Sequence, residues 1–389
     1  MKITKITPYL ISAPSPFLPT AEDSSRRRHN REYLFVEVNT DEGVTGWGEV
    51  TCTRDQANRA VASLIRHTSD ILAGDDPKNI EKIWHKVFRH FTYMGSRGAT
   101  TNVISGIDIA LWDIRGKVLG VPVYELLGGP VRDAVDVYCH PEDGATPEAL
   151  AQHCKAIVET GQKSIKTDPW HPHHPDEVDG YMSGRLSDEA ENLGVERIAA
   201  AREAVGPDIE ILIDNHARFD VPTAIRLAKA LEPYDIFWFE EPVGVESNTA
   251  LKQVRDATNV PICVGERIHT RWEFVPILEQ GLADFIMPDI TWTGGISELK
   301  KICTQAESYY IPVSPHDASG PINVISGAQV MITVPNCYRV ETSRADLHAY
   351  DVLMDVPLDI RGDKIHLDPD RPGIGIEMDK EYLTANLVD

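Results

Sequence analysis

The sequence predicts an α/β protein built on a TIM-type barrel of alternating strands and helices, with a smaller α+β domain before it. Three short apolar runs each end in an acidic residue: Glu210–Asp214, Ile236–Glu240 and Pro261–Glu266. Runs of β-branched and aromatic residues of this length are typical of buried strands. Successive acids lie 26 residues apart, and helical patterns fill both intervals. That interval suits one strand plus one helix, at roughly 30 residues per unit of such a barrel.

The separate α+β domain is predicted to span residues 1–133. Residues 2–10 alternate in polarity as a strand does, and a hairpin follows, with strands Tyr33–Asn39 and Val44–Glu49 on either side of a turn at residues 40–43. Three helical patterns come next: Gln56–Ala73, Asn79–Phe91 and Ile104–Leu127. Gly120 and Pro122 end the regular part of the third. We interpret the Asp and Arg residues of this third helix as structural.

The eight strands of the barrel are predicted within residues 134–341. In chain order they are Val135–Cys139, Ser164–Asp168, Glu210–Asp214, Ile236–Glu240, Pro261–Glu266, Asp284–Asp289, Ile311–His316 and Cys337–Glu341. From the third strand onward, the ends stay close to one strand–helix unit apart. Residues 342–389 are expected to form a C-terminal extension that packs back on the first domain.

Two long polar segments stand out because barrel loops of this length are often functional. Ser12–Arg31 is rich in proline, serine and charge, and it is either a solvated surface loop or a mobile lid that touches an anionic substrate. The segment Pro169–Leu193 contains His171, His173 and His174. We interpret it as a solvent-exposed loop, and as a weaker candidate for the lid than Ser12–Arg31.

The bulk composition restricts the possible partners. The 389 residues carry a formal net charge of −22, which argues against nucleic acid and anionic membranes but not against an anionic small molecule at a bound cation. The six cysteines form no C-x-x-C pair and predict free thiols in a reducing cytoplasm. The N-terminus lacks the apolar core of a signal peptide, and no apolar run is long enough to span a membrane.

The three acids predict a metal site. Parallel barrel strands point the same way, so Asp214, Glu240 and Glu266 converge on the C-terminal mouth, where barrel active sites lie. Three carboxylates in one cleft would repel each other and raise each other's pKa. A hard divalent cation removes that cost, and oxygen ligands favour Mg²⁺ over zinc. The alternative is that each acid caps the helix that follows it.

Other reactive residues lie at neighbouring strand ends. Lys166 and Asp168 end the second strand, and Glu341 ends the eighth. His216 follows Asp214 by two residues, so the two side chains share a side if the strand stays extended. Asp289 and His316 end the adjacent sixth and seventh strands, where an aspartate would fix the imidazole tautomer and raise its basicity.

This pattern resembles the mandelate-racemase subgroup of the enolase superfamily over nearly the whole chain. The supporting motifs are the helix Gly106–Lys117, Phe239–Pro242, Gly265–Glu266, Met287–Asp289 with Gly294–Gly295, the late His316, and Pro372–Glu377. The resemblance implies an N-terminal capping domain, a (β/α)₇β barrel and an essential magnesium ion. It also implies that Asp214, Glu240 and Glu266 bind that ion, and that Asp289 and His316 form a catalytic dyad.

Two departures from the subgroup bear on the reaction. Many of its racemases and epimerases end the second strand with Lys-x-Lys, whereas this chain has Lys166-x-Asp168. Conversely, Asp214-Asn-His216 looks like the Asp-x-His of acid-sugar dehydratases such as those acting on galactonate. The resemblance therefore implies dehydration of a sugar acid to a 2-keto-3-deoxy acid through an enediolate.

The roles expected in that reaction follow from the positions. His316 is expected to take the α-proton, His216 to protonate the leaving 3-hydroxyl, and Glu341 to hydrogen-bond to the enediolate. Lys166 either orients the substrate carboxylate or is itself the base. The alternatives are racemisation, epimerisation or cycloisomerisation of a sugar acid through the same enediolate, or a sugar-acid sensor with negligible turnover. A homo-oligomer is also expected.

Overall fold

The N-terminal sheet confirms the predicted hairpin. The computed structural model describes residues 1–14, 30–52, 55–142, 144–171, 183–342 and 347–388. Strands β1 (Ile3–Pro14), β2 (Asn30–Thr40) and β3 (Thr45–Glu49) form an antiparallel sheet in that order. Phe35 pairs with Tyr9 on one side and with Glu49 on the other, so β2 is the central strand.

Four helices follow this sheet: α1 (Asp55–Leu72), α2 (Ile80–His90), α3 (Ala99–Leu119) and α4 (Val123–Leu126). Helix α3 is buried along most of its length and ends at Gly120, as its sequence predicts. It lies directly on β3, where a Cβ atom on Gly48 would overlap the carbonyl of Gly106. This close approach makes α3 the layer between the sheet and the rest of the molecule.

The barrel consists of parallel strands that close into a ring. Strands β5 to β9 pair in chain order, while β4 pairs with β10. Single bridges join Cys139 to Ile165, and Val313 to both Ile286 and Cys337, which completes the circle. The strands are β4 (Val135–Tyr138), β5 (Ser164–Thr167), β6 (Glu210–Asp214), β7 (Trp238–Glu240), β8 (Ile262–Val264), β9 (Phe285–Ile286) and β10 (Val340–Glu341).

The barrel helices surround this ring on the outside. They are α5 (Pro147–Glu159), α6 (Asp188–Val205), α7 (Val221–Leu231), α8 (Asn248–Ala257), α9 (Thr270–Glu279), α10 (Ile290–Thr293), α11 (Gly295–Glu307) and α12 (Pro321–Met331). Among the described residues, no helix combines the length and the apolar character that crossing a membrane requires.

Several predicted barrel strands are shorter than their sequence patterns, among them the sixth and the seventh. The sixth has regular pairing only at Phe285–Ile286, and the seventh, Ile311–His316, is held by single bridges. Asp289 is the reason at the end of the sixth, because its side chain accepts the Thr291 N–H and caps α10. The strand ends thus bend into the loops that carry polar side chains.

The C-terminal segment contacts both parts of the molecule. Leu387 bridges to Ile11 in β1, as expected of an extension that returns to the first domain. In addition, β11 (Ile360–Arg361) and β12 (Lys364–Ile365) form a hairpin whose β12 pairs antiparallel with β4. This addition to the barrel was not predicted. Helix α13 (Lys380–Ala385) precedes the final bridge.

Helix α3 fastens the N-terminal part to the barrel through buried polar contacts. The carboxylate of Asp108 accepts hydrogen bonds from Ser297 N at 2.9 Å and from Ser297 Oγ at 2.6 Å. Helix α2 adds a further contact, in which Trp84 Nε1 donates to Gly294 O at 2.9 Å. Gly295 has φ of +81°, and a Cβ on it would lie 2.5 Å from Asp108 Oδ2. Gly295 therefore leaves room for the carboxylate of Asp108, which has a structural role as expected.

Gly295→Ala should destabilise the protein more than Gly281→Ala does. Both glycines have positive φ, but the space around Gly281 is open, whereas Gly295 faces Asp108. Backbone strain of roughly 1–2 kcal/mol is common to both changes, and overlap in a packed site adds about 1–3 kcal/mol. Urea unfolding of the two variants would measure the difference. Equal losses would contradict the close packing at Asp108.

Candidate active site

Three carboxylates meet at the C-terminal mouth of the barrel. Asp214 ends β6, Glu240 ends β7 beside it, and Glu266 follows β8. All three side chains are buried, and each offers an oxygen within 4.8 Å of the other two. Gly265 has φ of +146°, and a Cβ there would lie 2.8 Å from Met287 N. A glycine is therefore required at the bend that brings Glu266 beside the other two acids.

The three acids differ in how readily each ionises. Burial, together with the neighbouring carboxylate of Asp214, raises the pKa of Glu240 well above its usual range. Burial also opposes ionisation of Asp214, but His216 and Lys166 hold its pKa below the usual value. In the same way, Arg267 and His316 offset burial and lower the pKa of Glu266.

The residues present fit a divalent cation. The donor set is all oxygen, which suits Mg²⁺. Oε2 of Glu266 is buried and makes no hydrogen bond within the described parts of the chain, although His316 Nε2 lies 3.2 Å away as an ion pair. An unsatisfied carboxylate oxygen beside two further carboxylates is an arrangement that a bound cation would complete. Asp214, Glu240 and Glu266 are the residues that would hold it.

Lys166 lies in the middle of this cluster. Its ammonium group is 2.7 Å from Glu240 Oε1, 2.7 Å from Glu341 Oε1 and 3.4 Å from Asp214 Oδ2, and the side chain is only 1% exposed. Burial lowers the pKa of such a group, but Glu240 and Glu341 reverse the effect and raise it well above the ordinary value. Lys166 therefore remains a cation that balances the acids.

His316 and Asp289 form the expected pair. The distance from His316 Nδ1 to Asp289 Oδ2 is 2.8 Å. Asp289 also accepts hydrogen bonds from Thr291 N and Oγ1, and Asn323 Nδ2 donates to both of its carboxylate oxygens. Burial disfavours the imidazolium, but Glu266, Glu341 and Asp289 raise the pKa of His316 to about 10. With Nδ1 held by Asp289, Nε2 is the nitrogen that faces the triad.

His216 reaches the triad by another route than the one predicted. The strand ends at Asp214, and His216 has φ of +51°, so the assumption of an extended strand is wrong. The turn nevertheless brings His216 Nδ1 to 3.4 Å from Asp214 Oδ1 and 3.5 Å from Asp168 Oδ2. Burial lowers the pKa of His216, but Asp214 and Asp168 outweigh it and raise the pKa overall.

Asp168 is held in place by a second cation. Arg218 Nη2 donates to Asp168 Oδ2, and the backbone N–H of Trp170 donates to Asp168 Oδ1 at 3.1 Å. Burial opposes its ionisation, yet Arg218 and His216 keep its pKa well below the usual range. Asp168 is thus an ionised partner for His216, much as Asp289 is for His316.

Glu341 contacts His140, a residue that was not predicted from the sequence. His140 Nε2 lies 2.6 Å from Glu341 Oε1, and the backbone N–H of Asp317 donates to Glu341 Oε2 at 3.1 Å. His140 follows β4 almost directly, and position after a strand is the criterion that identified the other residues. Arg267 was missed as well; it pairs with both Glu266 and Glu241 and directly follows a predicted strand.

The two predicted lid segments are only partly described. Residues 15–29 of the segment Ser12–Arg31 lie outside the described residues, as do residues 172–182 of the insert, with His173 and His174. His171 is described; its backbone carbonyl accepts a hydrogen bond from Arg197 Nη1 at 2.9 Å. Closure by either segment remains a prediction.

The chain matches known protein families over most of its length. Residues 7–128 match the family described as mandelate racemase / muconate lactonizing enzyme, N-terminal domain, and residues 149–382 match the enolase C-terminal domain-like family. A D-xylonate dehydratase of Haloferax volcanii is 34% identical over 366 residues, covering 92% of this chain and 86% of that protein. A D-galactonate dehydratase of Variovorax paradoxus is 35% identical over 362 residues, covering 90% of each.

A solved structure is similar over nearly its full length. The crystal structure of a member of the enolase superfamily from Salmonella Typhimurium superposes with a TM-score of 0.89 at 33% identity, covering 98% of this chain and 97% of that one. The likeness extends over both the N-terminal part and the barrel.

Magnesium should stabilise the wild-type protein but not Asp214→Asn. A ligand that binds only the folded state adds about 2.7 kcal/mol to the free energy of unfolding when its free concentration is about 100 times its dissociation constant. A bound cation also relieves the repulsion among the three acids. We expect Mg²⁺ to raise the thermal unfolding temperature of the EDTA-treated wild type. Glu203→Gln, a change at an exposed acid of α6 outside the triad, should keep that shift. An equal shift in Asp214→Asn would contradict the metal site.

Proposed function

The chain belongs to the enolase superfamily, in its mandelate racemase / muconate lactonizing enzyme subgroup, and on that premise we propose that it is a magnesium-dependent dehydratase that converts a sugar acid to a 2-keto-3-deoxy acid. One observation carries the proposal: two histidines, each paired with an aspartate, lie beside the carboxylate triad. His316 contacts Glu266, and His216 contacts Asp214. Dehydration needs one group to remove the α-proton and another to protonate the departing hydroxyl, and the two pairs supply both.

We assign the removal of the α-proton to His316. Its Nδ1 faces Asp289, so the free electron pair of the neutral imidazole is on Nε2, on the side of the triad. The charge of Glu266 is one of the main causes of the raised pKa of His316. When bound, Mg²⁺ would supply positive charge that stabilises the negative charge left on the substrate by loss of the α-proton and that offsets the negative charge of its ligands. That offset favours the neutral imidazole that a base requires.

We assign the protonation of the leaving hydroxyl to His216. Asp214 and Asp168 stabilise its imidazolium form, and a general acid must hold a proton at neutral pH. Its side chain is 42% exposed, so the ring is accessible from the mouth of the barrel. Asp168, which stands where a second lysine occurs in many racemases of the subgroup, positions this histidine together with Arg218.

We assign Lys166 and Glu341 to orientation rather than proton transfer. Lys166 is surrounded by carboxylates that keep it protonated, which fits a group that orients the substrate carboxylate and disfavours a base. Glu341 accepts from Lys166 and His140 on one oxygen and from Asp317 N–H on the other. With both oxygens engaged as acceptors, Glu341 fits the positioning of Lys166 better than donation to the enediolate.

An epimerase is the second candidate, because the same two histidines could exchange protons on the α-carbon alone. The position where a second lysine would act as base is occupied by Asp168, which pairs with Arg218. We propose a five- or six-carbon sugar acid as substrate, in line with the xylonate and galactonate dehydratases that the chain resembles. The six cysteines are all free, which supports a reducing cytoplasm. The homo-oligomer stays a prediction.

His316→Asn and His216→Asn should separate the two proton transfers. With D-galactonate and D-xylonate as probes in D₂O, the wild type should form a 2-keto acid, detected with semicarbazide. His316→Asn should lose both α-proton exchange and dehydration. His216→Asn should lose dehydration by about 10²–10⁴-fold while proton NMR still shows α-exchange. Exchange at the wild-type rate in His316→Asn would make Lys166 the base, and deuterated substrate recovered from the wild type without water loss would favour an epimerase.

A further inference from the structure

Glu49 is a buried carboxylate of the N-terminal sheet that contacts the barrel. It is the last residue of β3 and has no solvent exposure. Its Oε2 accepts hydrogen bonds from the backbone N–H groups of Ile322 and Asn323, each at 3.2 Å. Its Oε1 accepts from Thr51 Oγ1 at 2.6 Å. Burial of a charged or polar group at this depth is costly unless its hydrogen bonds are made, and here the partners are provided by two parts of the molecule.

The two amides belong to the first turn of α12, which lacks a capping side chain of its own. Gly320 occupies the N-cap position and offers no side-chain oxygen. The first amides of a helix have no partner within the helix, and an anion near them is favourable. A Cβ on Gly320 would overlap Glu49 Oε1. Glycine at 320 therefore leaves space for Glu49 to cap α12 from the neighbouring sheet.

The first turn of α12 also carries a partner of the proposed dyad. Asn323 Nδ2 lies 3.1 Å from Asp289 Oδ1 and 3.2 Å from Asp289 Oδ2. Glu49 thus holds the backbone of the residue whose side chain holds Asp289, and Asp289 holds His316 Nδ1 at 2.8 Å. Three consecutive buried contacts lead from the N-terminal sheet to the imidazole.

A parallel route starts from Thr51. Its carbonyl oxygen accepts from Ser319 Oγ and from Trp292 Nε1, both at 3.0 Å. Ser319 Oγ is 2.9 Å from Thr291 Oγ1, which in turn donates to Asp289 Oδ1 at 2.6 Å. Both oxygens of Asp289 are therefore oriented by groups that depend on residues 49–51.

We propose that Glu49 is a positioning residue for the Asp289–His316 pair, acting through the first turn of α12 and Asn323, so that His316 is aligned only when the N-terminal domain is docked on the barrel. The inference rests on the role proposed above for His316. Glu49 itself does not touch the reacting atoms. Burial raises the pKa of Glu49 to about 7, which agrees with a carboxyl that is kept for its hydrogen bonds and not for surface charge.

The first test compares Glu49→Ala with Glu49→Gln. Ala removes both acceptors, whereas Gln keeps an oxygen of the same shape for the two amides and an amide group for Thr51. We expect kcat for α-proton exchange to fall about 10²-fold in Glu49→Ala, as a small misplacement of a base does, with KM and Mg²⁺ affinity unchanged. Glu49→Gln should restore most of the rate. A folded Glu49→Ala with wild-type kcat would overturn the proposal.

A glycine pair provides an independent check. Gly320→Ala should push the Glu49 carboxylate aside and lower kcat as Glu49→Ala does. Gly327→Ala lies in the same helix, and its Cβ would meet only ordinary contacts at 3.8 Å, so its kcat should equal that of the wild type. Equal kcat values for the two alanine variants would contradict the positioning role.

A double-mutant cycle tests the route through Asn323. If Glu49 acts through that side chain, Glu49→Ala added to Asn323→Ala should lower kcat little further, whereas independent effects multiply. A multiplied loss would overturn the proposal.

A readout without substrate separates this inference from the proposed reaction. The downfield proton resonance of His316 Nδ1–H, assigned by its loss in His316→Asn, should shift or broaden in Glu49→Ala and return in Glu49→Gln. An unchanged resonance would overturn the positioning role even if the sugar-acid chemistry holds. A changed resonance in a protein that dehydrates no sugar acid would preserve the positioning role and reject the reaction.

Discussion

The mutual repulsion of three buried carboxylates is the constraint on which the rest of this site depends. Asp214, Glu240 and Glu266 are brought together by adjacent parallel strands, and the low polarity of the surroundings strengthens their repulsion. Each cation nearby is placed to oppose it: Lys166 from β5, and His216, Arg267 and His316 from the loops after β6, β8 and the seventh strand. The protonation of Lys166, His216 and His316 is consequently tied to whatever occupies the triad, whereas Arg267 keeps its charge throughout.

The N-terminal domain completes two helix ends of the barrel. Asp108 of α3 holds the start of α11, and Glu49 of β3 holds the start of α12. In both places a carboxylate from one domain satisfies backbone amides at the first turn of a helix in the other, and a glycine leaves the space for it. Helix ends that would usually be capped locally are here capped across the interface, so the docking of the two parts and the order of the strand-end loops are linked.

The repeat of strands and helices made much of this predictable, because spacing along the chain determines position around a barrel. Asp214, Glu240, Glu266, Asp289, His316 and Glu341 could be located in this way. Contacts that depend on packing could not: no periodicity links Glu49 to Asn323, which lies 274 residues away. The left-handed backbone of His216 was missed because a strand pattern does not show where the strand stops. The β11–β12 hairpin was missed because its strands have two residues each.

The pairing of the two chain ends has a consequence for biosynthesis. Strand β4, the first of the barrel, has its lateral neighbours β10 and β12 more than 200 residues later in the chain, and β1 receives a backbone hydrogen bond from Val388 at Leu10. Domains commonly fold in order as they leave the ribosome. The ring cannot close before β10 has been synthesised, and β1 lacks its contact at Leu10 until residue 388 has been added, so both stay partly unpaired while the intervening residues are made.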